Sequence, residues 1–202
     1  MTVAPQRLRW IDPFTVTGRH VSLIPLEFEH EQGLVEAVQD GRVWDTWFAA
    51  VPSPDRMRQE IERRLDLAAA GTMVPFTVLD AQGRIAGMTS YMNVDAPNRR
   101  LEIGYTWYRA SVQRTGLNTE AKLLLLGHAF EQADCIAVGF RTAFFNAPSR
   151  RAIERLGARF EGIRRNHLIL ADGTVRDTCY YSIIDSEWPA VRRHLTWLLD
   201  RS

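Results

Sequence analysis

Lysine is almost absent from this 202-residue chain: Lys122 is the only one, and arginine supplies the other formal positive charges. Acidic residues (24) nearly balance basic ones (25), so the net charge of +1 gives no general attraction to nucleic acid or to a membrane surface. No apolar run approaches the roughly 20 residues of a membrane span, and MTVAPQRLRW lacks the apolar core of a signal peptide. We therefore expect a cytoplasmic protein that binds neither nucleic acid nor membrane.

Cysteine is equally scarce. Cys135 and Cys179 are the only two, and both lie inside apolar stretches, where two buried thiols are expected rather than a disulfide. No cysteine–histidine spacing is typical of zinc, so we expect no metal site.

What the chain does contain is a regular alternation of strand and helix patterns, with apolar residues at 46% and charged residues at 24%. The patterns predict seven strands: 20–26, 75–79, 85–94, 101–108, 135–142, 159–170 and 176–184. They predict helices over about 28–39, 53–70, 118–134 and 146–156, and a last one from 186. With no linker or repeat, this order indicates an N-terminal arm (1–19) and a single α/β domain (20–202) with a mixed, largely antiparallel sheet flanked by helices.

One stretch raises a chemical question. SVQRTGLNTEAKLLLLGHAF (111–130) joins a Gln-x-x-Gly turn directly to an apolar helix, within a strand–turn–helix–strand unit. A helix start leaves amide hydrogens unpaired and carries a partial positive charge, so a phosphate could bind there, with Gly116 allowing close approach and Arg114 adding a cation. The turn is neither a P-loop nor a dinucleotide fingerprint, and an ordinary helix cap is the alternative.

Three stretches resemble the GNAT superfamily of N-acetyltransferases, in particular its RimJ/RimL-like branch: LEIGYTWYRASVQRTGLNTEAKLLLLGHAF (101–130), RTAFFNAPSRRAIERLGARFEGIRRNH (141–167) and DGTVRDTCYYSIIDSEWP (172–189). With the strand and helix order before them, the resemblance extends over nearly the whole chain from His20. It implies the acyl-CoA N-acyltransferase fold, with about seven strands, and acetyl-CoA as co-substrate.

The resemblance also implies where acetyl-CoA binds. Its pyrophosphate would lie on the turn from Gln113 to Asn118, and its pantetheine arm would follow the strand that ends at Tyr108, where that strand separates from the next one. Glu120, in the first turn of the helix, should point away from this anion. The implied cofactor-binding residues are Thr106, Trp107, Tyr108, Gln113, Arg114, Thr115, Gly116, Leu117, Asn118, Thr119, Asn146, Ser149 and Arg151.

Acetyl transfer needs an acid for the leaving thiolate and a base for the amine. Many GNAT enzymes use a tyrosine as the acid, but Ile153 occupies that place here. The resemblance to the Rim-like branch suggests Ser149 as the acid instead. The alternative role of Ser149 is to support the start of the helix. Glu102 is one candidate base, on the same strand face as Gly104 and Thr106, unless it only forms a salt bridge with Arg99 or Arg100. His167 is the second candidate, and a structural role is its alternative.

The acceptor is less defined by the sequence. Trp44, Trp47, Phe48 and Tyr91, together with Phe144 and Phe145, could line its entrance, although several of them could be ordinary core. An amine at a protein or peptide N-terminus is the first acceptor to consider. A small-molecule antibiotic or polyamine, or a non-catalytic acyl-CoA-binding role, are the alternatives, and a homodimer stays open.

Overall fold

The structure, a computed structural model, describes residues 10–201. The strands are β1 (Val16–Thr17), β2 (Val21–Pro25), β3 (Met73–Asp80), β4 (Ile85–Asp95), β5 (Arg100–Tyr108), β6 (Ala137–Ala143), β7 (Arg159–Ile169) and β8 (Val175–Ile184). The helices are α1 (Glu31–Gln39), α2 (Met57–Ala69), α3 (Gly116–Gly127), α4 (Ala147–Arg155) and α5 (Trp188–Leu199). A π-helical turn over His128–Gln132 continues α3, and the short β1 is the strand that the sequence did not predict.

All eight strands form one sheet in the order β1-β2-β3-β4-β5-β6-β8-β7. Every neighbouring pair is antiparallel except β5 and β6, which are parallel because α3 forms the crossover between them. The predicted mixed, largely antiparallel sheet is therefore confirmed, with eight strands instead of about seven.

Helices pack on both faces of this sheet and divide the core in two. On what we call the back face, α3 and α5 bury residues such as Leu125 and Leu195 against β5, β6 and β8. On the front face, α1 and α2 bury Leu34 and Ile61 against a smaller cluster that includes Trp107. Because α1 and α2 contact mainly β3 and β4, no helix within residues 10–201 packs closely on the front face of β6 and β8.

The N-terminal arm predicted for residues 1–19 is described only from residue 10. Within residues 10–19, β1 pairs with β2 and extends the sheet, and Ile11 is buried in the back-face core. Phe14 stacks on His128 with ring centroids 3.6 Å apart. This part of the arm therefore packs on the domain. Within residues 10–201, no helix combines the length and apolar character that a membrane crossing would require.

Strand β7 forms one edge of the sheet, since only β8 pairs with it. Its register to β8 shifts twice, between Phe160 and Gly162 and between Arg164 and Leu168. Most of its side chains are exposed, including three arginines.

Candidate active site

The turn between β5 and α3 is fastened to the end of β5. The Gln113 side-chain nitrogen Nε2 donates to the carbonyl oxygen of Tyr108 at 3.0 Å, and the Thr115 hydroxyl donates to the carbonyl oxygen of Val112 at 2.7 Å. The same hydroxyl accepts a hydrogen bond from the Leu117 amide at 3.3 Å, so Thr115 caps α3. The turn is thereby held at the end of the strand along which the pantetheine arm is expected to run.

The conformations of the turn residues differ from those expected. Gly116 is the first residue of α3, and the left-handed residue of the turn is Arg114, with φ of 62°. Asn118 is the third residue of the helix and does not cap it. Conformational freedom of glycine is therefore not what shapes this turn, although the first-turn amides and the helix dipole still suit an anion.

Glu120 does point away from the turn. Its carboxylate is buried and accepts hydrogen bonds from the backbone amides of Arg19, His20 and Val21, at 2.9, 2.5 and 3.0 Å. Three amide donors satisfy the carboxylate at the entry to β2, so its charge does not compete with a ligand for the α3 terminus.

Strands β5 and β6 are paired at only three positions, from Arg100–Ala137 to Glu102–Gly139. Beyond Glu102 the two strands separate, so the edge of β5 that faces β6 carries backbone groups not used in the sheet. The opening lies beside the turn that leads into α3. A parallel pair that opens in this way exposes backbone donors and acceptors to a ligand lying between the strands.

A bulge in β5 marks the opening. The register between β4 and β5 shifts between Met88 and Ser90, and Tyr105 has φ of 49°. The fully buried Arg64 of α2 donates to the carbonyl oxygen of Tyr105 at 3.0 Å and to the Ser90 hydroxyl at 3.2 Å. The third group bound by Arg64 is the carboxylate of Glu60, at 2.7 Å. A buried arginine thus holds the bulge from the front face.

The bulge changes which side chains share a face. Thr106 points to the back, where its hydroxyl contacts that of Thr89 at 2.7 Å and receives a hydrogen bond from Lys122 at 3.1 Å. Trp107 points to the front-face core, and Tyr108 is buried at the back. The expected grouping of Thr106 with Glu102 on one strand face is therefore wrong. Any contact of 106–108 with a cofactor arm would use backbone atoms.

Lys122 is buried behind this part of β5. Burial lowers the pKa of its ammonium from 10.5 to about 7. Within the described part of the chain it forms no ion pair, and Thr106 is its hydrogen-bond partner. A substantial fraction of Lys122 is therefore uncharged at neutral pH.

Helix α4 begins on the other side of the opening. The Asn146 side chain caps it by accepting from the Ser149 amide at 3.1 Å, while the Ser149 hydroxyl has no hydrogen bond within residues 10–201. Arg155 of α4 donates to the Thr119 hydroxyl of α3 at 3.0 Å, which links the two helices. Arg151 is exposed, and Ile153 is buried in the back-face core.

Glu102 lies on the front face with a partner from β6. Arg141 Nε is 3.1 Å from Glu102 Oε2 as an ion pair, and Asn93 Nδ2 donates to Oε1 at 2.9 Å. The predicted salt bridge with Arg99 or Arg100 is replaced by this pair, and Arg99 binds Asp134 instead. The Arg141 N–H is not aligned for a hydrogen bond, so Oε2 is buried with an ion pair but without a hydrogen-bond partner among residues 10–201.

His167 lies near Glu102 on the same face. Its Nε2 is 3.2 Å from an Arg164 nitrogen and 3.3 Å from the Tyr180 hydroxyl. Because arginine can only donate, Nε2 accepts, and Nδ1 donates to the Thr178 hydroxyl at 3.0 Å. Burial, followed by the charges of Arg164 and Arg141, lowers the pKa of His167, so the ring is neutral at pH 7.

The residues that meet on the uncovered front face we call the front-face cluster: Glu102, Arg141, His167, Arg176 and Tyr180. Glu102 and Tyr180 also line a groove of about 730 Å³ that continues toward the paired ends of β5 and β6. This groove is bounded by Asp95 and Asn98 of the β4–β5 turn and by Glu161 of β7. It lies at the opposite end of β5 from the α3 turn, so it is distinct from the opening between the strands.

The aromatic residues separate into two groups. Trp47 is 54% exposed, and its ring contacts those of Phe48 and Phe145, with centroids 5.5 and 5.7 Å apart. Phe145 also contacts Phe144. Trp44 is half-buried against the front-face core. These residues connect the segment between α1 and α2 with the turn before α4.

Tyr91 is different. It is fully buried among back-face residues, and its hydroxyl donates to the carbonyl oxygen of Leu125 at 2.5 Å. A side chain in this position cannot line a surface entrance, so we leave Tyr91 out of the proposed acceptor site.

The structure combines three features: a mixed sheet with one parallel pair of strands, an opening between those two strands, and a helix start beside the opening that suits an anion. They define a GNAT-type N-acetyltransferase. The chain matches the acetyltransferase (GNAT) domain family over residues 20–159 and belongs to that family. Members of this family take the acyl group from an acyl-CoA and act on amine acceptors.

Individual relatives agree with this assignment. The chain is 37% identical over 106 residues to "Putative ribosomal N-acetyltransferase YdaF" of Bacillus subtilis, an alignment that covers 52% of this chain and 57% of the relative. The chain thus matches little more than half the length of that curated relative. A crystal structure of a GCN5-related N-acetyltransferase from Brucella melitensis has 34% identity and a TM-score of 0.81, covering 93% of this chain and 86% of that one.

A more distant structure shares the fold. Mycobacterium smegmatis RimJ, in complex with CoA-disulfide, is 23% identical with a TM-score of 0.78, covering 92% of this chain and 95% of RimJ.

Several residues of this site were missed by sequence reasoning. Arg64, Arg141 and Arg176 come from three separate elements, and one arginine among many gives no local signal. Lys122 could have been found, because a lone lysine inside an apolar helix segment is unusual. No group of three or more potential metal ligands was found among residues 10–201.

Proposed function

We propose that the protein transfers an acetyl group from acetyl-CoA to a primary amine, with the amino terminus of a protein or peptide as the first acceptor to test. The observation that carries the proposal is the separation of β5 from β6 after Glu102, directly beside the start of α3. This geometry combines unused strand backbone with a helix terminus, which suits a ligand with an amide-rich arm and a pyrophosphate.

In this proposal the diphosphate lies against the turn from Gln113 to Asn118, with Arg114 near its negative charge and Thr119 in the first turn of α3. The pantetheine arm follows the backbone of Thr106, Trp107 and Tyr108. Asn146, Ser149 and Arg151 approach from α4. Fixed backbone donors at a helix start need little rearrangement to receive the ligand, which favours binding.

The reaction forms a C–N bond and breaks the C–S bond of the thioester, and a proton passes from the amine to the departing thiolate. Ser149 is proposed to supply a proton to the thiolate, since its hydroxyl is not otherwise engaged. Glu102 is proposed as the base, because its carboxylate lines the groove at the point where β5 and β6 begin to separate. His167 is the second proposed base, neutral at pH 7 and connected to the groove through the Tyr180 hydroxyl.

A small amine is the other acceptor class that the structure favours. A groove of about 730 Å³ beside Glu102 is in the size range of small-molecule sites. A cytoplasmic location agrees with the two buried free cysteines. A homodimer is a further proposal for this protein.

The test is release of free thiol from acetyl-CoA by the purified full-length chain, with N-terminal peptides in one series and small amines in the other. Binding of coenzyme A is measured separately by calorimetry. Thiol release with one series selects that acceptor class. Suppose that coenzyme A binds but that acetyl-CoA releases no thiol with either series of amines. That result would reject acetyl as the transferred group, and propionyl-CoA and succinyl-CoA would then be compared.

The role of Ser149 is tested by Ser149→Ala. We expect kcat to fall at least tenfold and the affinity for coenzyme A to fall much less, because the substitution removes a proton donor and leaves the helix cap at Asn146. Ser186→Ala is the matched control, since Ser186 is an exposed serine at the start of another helical segment. Equal turnover of the two variants would leave Ser149 with a structural role only.

A further inference from the structure

Arg176 is a cation without a partner. It lies on β8, is partly buried, and makes no hydrogen bond or ion pair within residues 10–201. Its Nε atom is fully buried and has no acceptor. Burial, and secondly the charge of Arg141, lower its pKa, but an arginine remains protonated at any physiological pH. A partly desolvated guanidinium without an acceptor is unfavourable, which raises the question of what satisfies it.

The position of Arg176 is on the front face of the sheet. Arg176 and Tyr180 are four residues apart on β8, so their side chains share a face, and Tyr180 is paired with Arg141 of β6. Arg141 contacts Glu102 on that face. Arg176 therefore belongs to the same surface as the proposed base, next to the uncovered strands.

The charges of this surface do not balance. Glu102 is the carboxylate of the front-face cluster, and Arg141 already pairs with it. Asp177, the residue next to Arg176, is bound by Arg165 at 2.6 Å and by the Asn166 amide at 2.8 Å. Glu161 lines the groove, of which Arg176 is not a lining residue, and Arg164 adds another positive charge beside His167. The surface is left with a positive charge at Arg176 that no described carboxylate neutralises.

We propose, resting on the amine acetylation proposed above, that the acceptor carries a carboxylate close to its reacting amine and that Arg176 binds this carboxylate. A guanidinium matches a carboxylate through two parallel hydrogen bonds, which the two terminal nitrogens of Arg176 can donate, since they are unpaired within residues 10–201 and, unlike Nε, not fully buried. With its carboxylate on Arg176, the acceptor would present its ammonium group toward Glu102.

Two sources provide this chemistry: a free amino acid, or an acidic residue near the amino terminus of a peptide. Both are tested with matched acceptors at a fixed concentration of acetyl-CoA. Alanine is compared with alaninamide, and a tetrapeptide amide with glutamate at its second position is compared with the same peptide containing glutamine. We expect kcat/KM to be about tenfold or more higher for the carboxylate member of one pair, and the pair that responds identifies the source.

Arg176→Gln should reduce the ratio between the members of that pair to near one, because it should lower kcat/KM for the carboxylate acceptor much more than for its amide. Arg176→Lys should restore part of the ratio, since it restores the charge without the bidentate geometry. Arg165→Gln is the matched control, because Arg165 is an exposed arginine on the neighbouring strand, and the ratio should stay as in the parent protein. Equal turnover of both members by the parent protein, or an equal loss for both in Arg176→Gln, would overturn the proposal.

A measurement without turnover separates this proposal from acetyl transfer itself. N-acetylalanine and N-acetylalaninamide, and the acetylated forms of the two peptides, are titrated into the protein with coenzyme A present. The carboxylate form of one pair should bind about tenfold more tightly, and Arg176→Gln should abolish the difference. If this preference is found without thiol release from acetyl-CoA, the proposed reaction fails while the carboxylate site stands. If neither carboxylate form is preferred, the carboxylate site fails regardless of activity.

Discussion

The rings of Trp47 and Phe145 lie with their centroids 5.7 Å apart and join two segments that are far apart in sequence. Trp47 belongs to the connection between α1 and α2, and Phe145 to the turn before α4. Both are more than half exposed, at 54% and 67%, so their contact contributes little to the core. Aromatic surface that is shared by two loops near an opening in the sheet is well placed to contact an acceptor.

We therefore predict that Trp47→Ala raises the KM for the acceptor several-fold and leaves the affinity for coenzyme A unchanged. The free energy of unfolding should fall by no more than about 1 kcal/mol, the range of an exposed aromatic pair. Trp197→Ala is the control, since Trp197 is 51% exposed on α5. Steady-state kinetics and urea unfolding check both variants, and an unchanged KM for Trp47→Ala would remove it from the acceptor site.

Glu120 and Gly18 should be strongly coupled. A Cβ atom at Gly18 would lie 2.4 Å from the carboxyl carbon of Glu120, so Gly18→Ala should displace the carboxylate from the amides that it binds. Glu120→Ala alone should cost about 3 kcal/mol, because three amide hydrogen bonds to a charged group are lost. Gly18→Ala should cost much less in the Glu120→Ala background. Urea unfolding of the four proteins gives the coupling energy, expected above about 1 kcal/mol, and simple additivity would contradict this account.

Lys122 should make stability depend on pH in the alkaline range. Its pKa is about 7 in the folded protein against 10.5 for an exposed lysine. Below pH 7 both states are protonated and the penalty of the buried charge is fully present. From pH 7 to about 10.5 only the unfolded chain keeps the proton, so the free energy of unfolding should rise, by up to about 1.4 kcal/mol per pH unit.

The comparison with Lys122→Met isolates this contribution. At pH 6 the variant should be more stable than the parent protein, because methionine fills similar space without a charge. The difference between the two should shrink as the pH increases toward 10. Burial raises the pKa of Cys135 to about 12, which opposes the rise above pH 9, but this thiol is present in both proteins and cancels. A constant difference across the range would show that Lys122 is not buried as described.

Lysine should not be able to replace Arg64 in holding the bulge of β5. Its guanidinium reaches Glu60, Ser90 and the Tyr105 carbonyl oxygen in three directions, which a single ammonium cannot do. We expect Arg64→Lys to lower the free energy of unfolding by about 3 kcal/mol and to weaken coenzyme A binding several-fold, because the bulge in β5 loses its support. Arg63→Lys is the control, since Arg63 binds the same Glu60 from a more exposed position. Equal effects of the two would mean that the bulge does not depend on Arg64.

The order of helices and strands followed from the sequence because periodicity and turn residues are local signals. The separation of β5 and β6 was also anticipated correctly from family resemblance, and the direction of Glu120 from the competition between its charge and an anion at the helix start. The binding roles of the turn residues, of Asn146 and of Ser149 stay predictions that only a bound cofactor or a kinetic variant can test.

What could not be anticipated depends on contacts between distant parts of the chain. Strict alternation assumes no inserted residue, so the bulge at Tyr105 exchanged the faces of Thr106 and Trp107. The pairing of Glu102 with Arg141 requires knowing that β5 and β6 are adjacent and in which register. Tyr91 has the composition of a binding-site residue, and only its packing against Leu125 reveals a core position.

Strand β7 is an edge strand, and this affects how copies of this chain could associate. A long unpaired strand invites another strand to add to it, which leads to aggregation. Here the exposed charged side chains of Arg159, Arg164 and Arg165 lie along that edge, and two interruptions of regular pairing prevent a flat ribbon. Exposed charged side chains and local twist together make strand addition at this edge unfavourable. Any self-association of the protein should therefore use another surface, and the sheet should end at β7 in solution.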